Sequence, residues 1–367
     1  MRRRCRLLAA LTGCLLAAVA TAGEPCRIAF DMGSSGIRAG ESGRSEIMRS
    51  NIDYLAPLAA GRGLAETLPS TIAALRDLPN KGGFGPDCAR LGGGFSAWRM
   101  AAQEDRQQLA VDLEAIRKTS GVAVLVIPQR QEGAYGYQGA HKLLGERLTT
   151  SHILDIGGGS LQIAGERHSF GALFGQKLWH HELCKALRNA TQLPCELQPM
   201  SPVEVDSARD LLRSRLRDIA RDLPQGATMT AISRPVTRGV APAVASLFNR
   251  PGSLSEISPT LLRATLETYA GLSLDDMVER LGGERSHAAY LVSDLLLVEG
   301  LMQATGSHDL QIAEIDLTNL PGLLADDRGY RWAEKHDCYL RRLRSIGVGA
   351  YSSDPATCPA VQKPSPH

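Results

Sequence analysis

Charge of one sign is what this sequence lacks. Its 41 Lys and Arg face 39 Asp and Glu, a formal net charge of +2 over 367 residues. Aromatic residues are few, at 5%, and no basic run is interleaved with them, which removes the footprint of a nucleic-acid binder. After residue 22 no apolar run is long enough to span a bilayer. No CxxC and no Cys/His pair at zinc spacing occurs, so a structural zinc site is not expected.

The one strongly biased stretch lies at the start. Residues 1–22, MRRRCRLLAALTGCLLAAVATA, have an arginine-rich n-region, an apolar h-region and a small-residue site at Ala20-Thr21-Ala22. That is the pattern of a secretory signal peptide, and it predicts a periplasmic or secreted protein. Leu11-Thr12-Gly13-Cys14 also fits a lipoprotein cleavage site, but the residues after Cys14 stay apolar, as in the middle of an h-region. Setting Cys5 and Cys14 aside leaves Cys26, Cys88, Cys184, Cys195, Cys338 and Cys358. An even number in an exported chain suggests disulfides, with fifteen connectivities open. Pairing by segment joins Cys184 to Cys195 and Cys338 to Cys358, leaving Cys26 for Cys88; buried free thiols are the alternative.

The remaining length suits two domains. At its centre is His152–Glu166, HILDIGGGSLQIAGE, which reads as a buried strand, a glycine turn and a second strand. Three glycines let the backbone approach a ligand and aim N–H groups at an anion. Asp155 ends the first strand, where a carboxylate can hold a hard cation, and Ser160 adds a hydroxyl across the turn. A tight hairpin whose Asp caps the turn is the bland alternative. A second copy favours the functional reading: Asp31–Arg38, DMGSSGIR, follows the strand Cys26–Phe30. Two Asp-Gly turns flanking one site are what a two-lobed phosphate clamp requires.

Between and beyond these turns the pattern alternates strands and helices. Leu64–Leu78 is helical in two pieces around Pro69, and Ala89–Gly92 is a short strand. Phe95–Thr119 is a long helix with Arg99 in its first turn, either a solvated charge or a cation facing an anion. Gly121–Ile127 is a buried strand. Gln129–Gly139 then opens a helix running to about Leu148. Glu132 lies at this strand-to-helix transition, where the helix N-terminal field favours a carboxylate and where a general base could face water. Further on, Ser201–Leu223 is a helix with Ser201 as N-cap and Glu204 completing a capping box. Ala227–Ile232 is a strand, and a helix follows from about Val240 to Phe248. Ser286–Gly306 is a long buried helix and Leu310–Ile315 a strand. Trp332–Arg344 reads as one charged helix leading into a mobile Pro/Ser-rich tail. Adjacent His180 and His181 point to different faces, so they do not share a metal.

With these residues in view, the chain resembles the exopolyphosphatase/guanosine pentaphosphate phosphohydrolase (Ppx/GppA) family, over roughly residues 26–325. DMGSSGIR is similar to that family's DxGSNSxR loop, DIGGGSLQ to DIGGGSTE, FSAWRMA to TSAxREA, QEGAYGYQG to EEAxxxYxG, and HSFGALFGQKLW to SxxxGAVxLTE. The late helix and strand follow the family's final α–β element. The resemblance implies an α/β fold of two ribonuclease-H-like (actin-like ATPase) lobes with a cleft between them: residues 23–149, then 150–325, then a helix and tail over 326–367. It further implies Glu132 as the base that activates water, and Asp31 and Asp155 around Mg²⁺. Gly33, Ser34, Ser35, Gly157, Gly158 and Ser160 would cradle phosphate, and Arg38 and Arg99 would neutralise it. Polyphosphate or a nucleoside polyphosphate is the implied substrate. Monomer and homodimer both stay open.

Two departures from the family pattern bear on function. Gln162 stands where the family carries Glu, as in apyrase-like nucleoside triphosphate diphosphohydrolases, which also share an EGxYGW-like stretch. Ser233-Arg234-Pro235-Val236-Thr237 replaces a glycine-rich loop. The alternatives are therefore an apyrase-like nucleoside tri- or diphosphatase, and a catalytically silent protein that binds polyphosphate or nucleotide. A sugar kinase is disfavoured because export removes ready access to ATP.

Overall fold

The structure, a computed structural model, describes residues 25–191, 194–250, 254–282, 284–315 and 318–359. The expected signal peptide, its cleavage point at Gly23 and the final residues of the tail lie outside the described residues.

The first part of the chain forms strands β1 (Arg27–Met32), β2 (Gly36–Glu41) and β3 (Met48–Asn51), then helices α1 (Leu55–Ala59) and α2 (Leu68–Lys81). Strand β4 (Ala89–Gly94), α3 (Ser96–Ser120), β5 (Ala123–Val126) and α4 (Gln129–Leu144) follow. The second part opens with β6 (His152–Ile156), β7 (Leu161–Gly165) and β8 (Ser169–Ala172), then α5 (Gln176–Arg188), α6 (Pro202–Leu216), α7 (Ile219–Asp222) and β9 (Met229–Ala231). After it come α8 (Ala241–Leu247), β10 (Glu256–Ile257), α9 (Pro259–Ala270), α10 (Leu274–Leu281), α11 (Arg285–Thr305) and β11 (Leu310–Ile312). The chain closes with α12 (Leu320–Leu324), α13 (Asp327–Glu334) and α14 (His336–Ile346).

The strands make two sheets of the same plan. The first has the order β3-β2-β1-β4-β5 and the second β10-β11-β9-β6-β7-β8. In each, an antiparallel meander of three strands is extended by parallel strands beside its first member. Parallel strands β4 and β5 need covered faces, which explains why LeuGlyGlyGly and AlaValLeuVal are buried almost throughout. Each sheet has its own apolar core, one around Phe30, Trp98 and Val124, the other around Trp179, Leu212 and Leu295. A small third cluster of Ala140, Ile153, Ala164 and Ile232 packs α4 onto the second sheet, so α4 touches both lobes. Together these features are the two-lobed α/β architecture.

Three expectations change. The sequence expectation puts the chain up to residue 325 in the second lobe and an appended helix and tail beyond it. Leu320 and Leu323 instead join the first core, with Tyr330, Trp332, Tyr339, Leu343, Ala350 and Tyr351. The physical reason is aromatic burial: these side chains pack against the first sheet, and Tyr339 Oη accepts from the Val126 N–H of β5 at 2.8 Å. The single helix expected over Trp332–Arg344 is also broken at Lys335, because His336 turns inward to Val124 O at 3.1 Å. The helix expected from Val240 begins earlier, as a wide-turn segment over Pro235–Val240 that runs into α8, with proline in the opening turn where its missing N–H is harmless.

All six cysteines outside the first 22 residues pair as the segment argument suggested: Cys26 with Cys88, Cys184 with Cys195, Cys338 with Cys358. The capping box at Ser201 and Glu204 is present. No helix among the described residues is long and apolar enough to cross a membrane.

Candidate active site

The two glycine turns close their hairpins from opposite lobes and meet. Gly33 opens the β1–β2 turn, its N–H donating to Gly36 O at 3.0 Å. In the β6–β7 turn a Cβ on Gly158 would stand 3.2 Å from Ser34 Oγ, and one on Gly159 would lie 2.4 Å from Ser96 Oγ at the start of α3. A side chain at Gly159 would therefore wedge the lobes apart. Gly175 is equally constrained, since a Cβ there would come 2.1 Å from Gly157 O. The N–H groups of Ser34, Ser35, Gly158 and Gly159 donate to no protein group among the described residues. The two turns thus bring amides without a protein acceptor close together, and backbone amides of this kind can serve an anion.

Between them lies a cleft of about 490 Å³. Asp31, Gly33, Ser34, Ser35, Arg38, Glu132, Asp155, Gly157, Gly158 and Ser160, all singled out from the sequence, line it. Arg99 does not. It is 3% exposed, and its guanidinium donates to Ile127 O at 3.0 Å and Ser160 Oγ at 3.2 Å and pairs with Glu132 Oε2 at 2.6 Å. The expectation that Arg99 neutralises substrate phosphate is corrected on this point: the side chain lies behind the wall and holds the carboxylate that faces the cleft.

Glu132 sits in the first turn of α4. Its Oε2 also accepts from Gln162 Nε2 at 2.9 Å, and that amide reaches Ser160 Oγ at 3.1 Å. A carboxylate at position 162 could only accept, so it would set two carboxylates against each other; the amide supplies a donor. Oε1 of Glu132 has no hydrogen-bond partner among the described residues. Burial pushes the Glu132 carboxyl above the ordinary range, Arg99 opposes the shift, and the charge of Asp31 adds to it. Ser160 Oγ accepts twice and so keeps its own proton for donation.

The two aspartates occupy matching places, each across the ladder from the residue that follows its turn: Asp31 opposite Arg38 and Asp155 opposite Gln162. Asp31 accepts from the Asn319 N–H at 3.1 Å and lies 3.9 Å from Arg38. Burial raises its pKa and Arg38 counters. Asp155 is pushed up to about 7 by burial and by the charges of Glu132 and Asp31. Crowded carboxyls of this kind fit a hard divalent cation, which would relieve their repulsion. Among the described residues, the groups of three metal-ligating side chains with atoms within 4.8 Å contain disulfide sulfurs, with His180 or Glu41 as the third member. A cation in the cleft would thus have two carboxylates and would fill its shell with water and phosphate oxygens, the habit of Mg²⁺.

Three cations in the lining carried no functional reading from sequence: Arg49, Lys177 and Arg234. Arg49 stands directly opposite Arg38 on the β2–β3 ladder. Both guanidiniums therefore stand in the same wall of the cleft. The signal available in the sequence was the hairpin register that aligns the two arginines.

The family profile that matches the chain is that of the Ppx/GppA phosphatase family, over residues 109–318. Solved structures with the same fold include a Ppx/GppA family member of Aquifex aeolicus, at 16% identity and TM-score 0.60, covering 82% of this chain and 96% of that one. A type II variant of the Aquifex aeolicus phosphatase matches at 15% identity and TM-score 0.58, with 82% and 98% covered. An exopolyphosphatase from Cytophaga hutchinsonii matches at 14% identity and TM-score 0.57, with 82% and 96% covered. No match was found among curated proteins.

Proposed function

Because this chain belongs to the Ppx/GppA phosphatase family, and so to the phosphoanhydride hydrolases, we propose that it is an exported enzyme that removes the terminal phosphate of polyphosphate. Asp31 and Asp155 would hold Mg²⁺, and Glu132 would activate the attacking water. The observation that carries this reading is a carboxylate anchored from behind by Arg99 and Gln162, with its other oxygen turned to a cleft of amides and cations.

Phosphoanhydride cleavage requires positioning and charge neutralisation more than covalent help. The terminal phosphoryl group fits between the free amides of the two turns, with the Ser160 hydroxyl donating to it. Water held by Glu132 attacks phosphorus as its proton passes to the carboxylate. The bond to the bridging oxygen breaks, and that oxygen keeps the electron pair on the shortened chain. Orthophosphate leaves, and Glu132 returns its proton to solvent. The bound metal ion would neutralise phosphate-oxygen charge. Arg99 keeps Glu132 ionised against burial, which a base must be.

Polyphosphate is favoured over a nucleotide by the lining. Bases stack on aromatic faces, and Phe95, the one aromatic side chain among the described lining residues, is 1% exposed. Gln162 is the observation on the side of an apyrase-like nucleotidase. Export is supported by the leader pattern and by three disulfides that use every remaining cysteine, as in oxidising compartments.

The test is phosphate release from long-chain polyphosphate, ATP and ADP, with and without Mg²⁺, by wild type and Glu132→Gln. Loss of a general base costs about 10²–10⁴-fold in rate, so turnover should collapse while polyphosphate affinity stays within a few-fold. A Glu132→Gln enzyme working near the wild-type rate ends the assignment of the base. Release from ATP and ADP but not from polyphosphate transfers the case to the nucleotidase.

A further inference from the structure

One cation in the cleft wall has no part in the chemistry above. Lys177 is the second residue of α5, where the positive end of the helix field disfavours a cation. No acidic side chain pairs with it among the described residues. The titratable group it acts on is His181, one turn along, whose pKa is lowered by burial and then by Lys185 and Lys177. Nothing among the described residues explains a cation at this place.

Its surroundings aim it at the cleft. The amides of Gln176 and Lys177 are already committed, to Gly157 O and Gly158 O, both at 2.9 Å. The helix end thus offers those N–H groups to no ligand, and the ammonium is what remains for an anion. The lysine stem runs beside the glycine turn: a Cβ on Gly158 would lie 3.6 Å from Lys177 Cδ and 3.2 Å from Ser34 Oγ. The Ser160 end of the same turn touches Arg99 and Gln162 and, through them, Glu132. Lys177 therefore flanks the end of the turn away from the reacting group.

We propose that Lys177 is a binding residue for the non-reacting phosphates of an inorganic polyphosphate chain, on the leaving side of the cleaved bond. This rests on reading the cleft as a polyphosphate site. The second lobe then supplies a cation that engages the chain opposite the Arg38 and Arg49 ladder of the first, and the polyanion joins the lobes. A contact to a remote phosphate that is equally strong in the ground state and the transition state acts on substrate affinity and not on the chemical step.

The experiment measures equilibrium binding of long-chain polyphosphate to the full protein by calorimetry at several KCl concentrations, for wild type, Lys177→Gln and Lys177→Arg, with turnover measured alongside. Lys177→Gln should weaken binding about 10–100-fold, as for one charge-assisted hydrogen bond. It should also lower the slope of log affinity against log salt by about one, the signature of one fewer neutralised charge on a linear polyanion. Lys177→Arg should stay near wild type, and kcat should change less than KM. A Lys177→Gln protein that binds within two-fold with an unchanged salt slope overturns the assignment. Wild-type protein that binds polyphosphate with the predicted lysine dependence but releases no phosphate refutes the hydrolase reading and leaves Lys177 standing. Wild-type protein that binds none refutes both.

Discussion

Arg99→Met isolates the buried pair behind the active site. Arg99 and Glu132 are 3% and 11% exposed at their side chains and meet at 2.6 Å. Removing one partner of a buried ion pair costs about 3–5 kcal/mol because it strands the other charge. Glu132 has one escape, which is to take up a proton. Between its ordinary value of about 4.3 and pH 7 lie about 2.7 units, or about 3.7 kcal/mol, which caps the electrostatic loss at neutral pH. At pH 5 the same cap falls to about 1 kcal/mol. The sign follows from linkage: a carboxyl whose folded pKa is raised binds its proton more tightly in the native state, so its stabilisation is present at low pH and lost as pH rises. The Arg99→Met protein should therefore be far less stable than wild type at pH 7 and only modestly so at pH 5, by urea denaturation at each pH. The double variant Arg99→Met/Glu132→Gln, which carries neither charge, should recover most of the loss and flatten the pH dependence. A loss that is the same at both pH values, or strict additivity in the double variant, would show that Glu132 is not the group Arg99 serves.

Two further outcomes follow from groups away from the reacting centre. Asp294, inside α11, is pushed up to about 8 by burial, with the Gln176 hydrogen bond at 2.6 Å opposing. Its stabilising share is thus lost as pH rises from about 4 toward 8, and Asp294→Asn should lower the pH sensitivity of thermal unfolding over that range; an unchanged profile would place the titration elsewhere. For the exported form, intact mass after alkylation without reductant should show a chain starting near Gly23 with no labelled thiols, and six labelled thiols would refute the disulfide pattern.

The parts of the site that were legible in the sequence are those made within one hairpin. Asp31 and Asp155 each end a strand before a glycine turn, and everything that places them lies within a few residues. Glu132 was legible as a residue at a strand-to-helix junction, but not its surroundings, because Arg99 reaches it from α3 and Gln162 from β7. The first turn of a helix beside glycines looks the same whether its arginine points to solvent, to a ligand or inward, and packing between the lobes decides among these. Arg49 depends on hairpin register, and Lys177 on how α5 docks against the glycine turn. The closing segment misled for a different reason. Its charges and prolines suggested a solvated tail, while Tyr330, Trp332, Tyr339 and Tyr351 carried the burial signal and needed a place on the first sheet.

That closing segment also bears on how Glu132 is held. Tyr135, one turn beyond Glu132 on α4, donates to Asp326 Oδ2 at 2.7 Å, and Tyr351 shares the same oxygen at 2.5 Å. The two hydroxyls lie 3.0 Å apart, and a Cβ on Gly322 would fall 2.3 Å from the Tyr135 ring. On its other side α4 comes so close to β7 that a Cβ on Gly133 would stand 3.0 Å from Ala164 Cβ. The helix that carries Glu132 is thus gripped from the second lobe through a glycine contact and from the closing segment through a buried hydrogen-bonded triad. A general base must stay within hydrogen-bond reach of its water, and misplacement by about 1 Å can cost about 10²-fold. The segment from Leu320 to Cys358, all of it beyond the residues matched by the family profile, is accordingly part of the framework of the candidate active site, although none of its side chains lines the cleft.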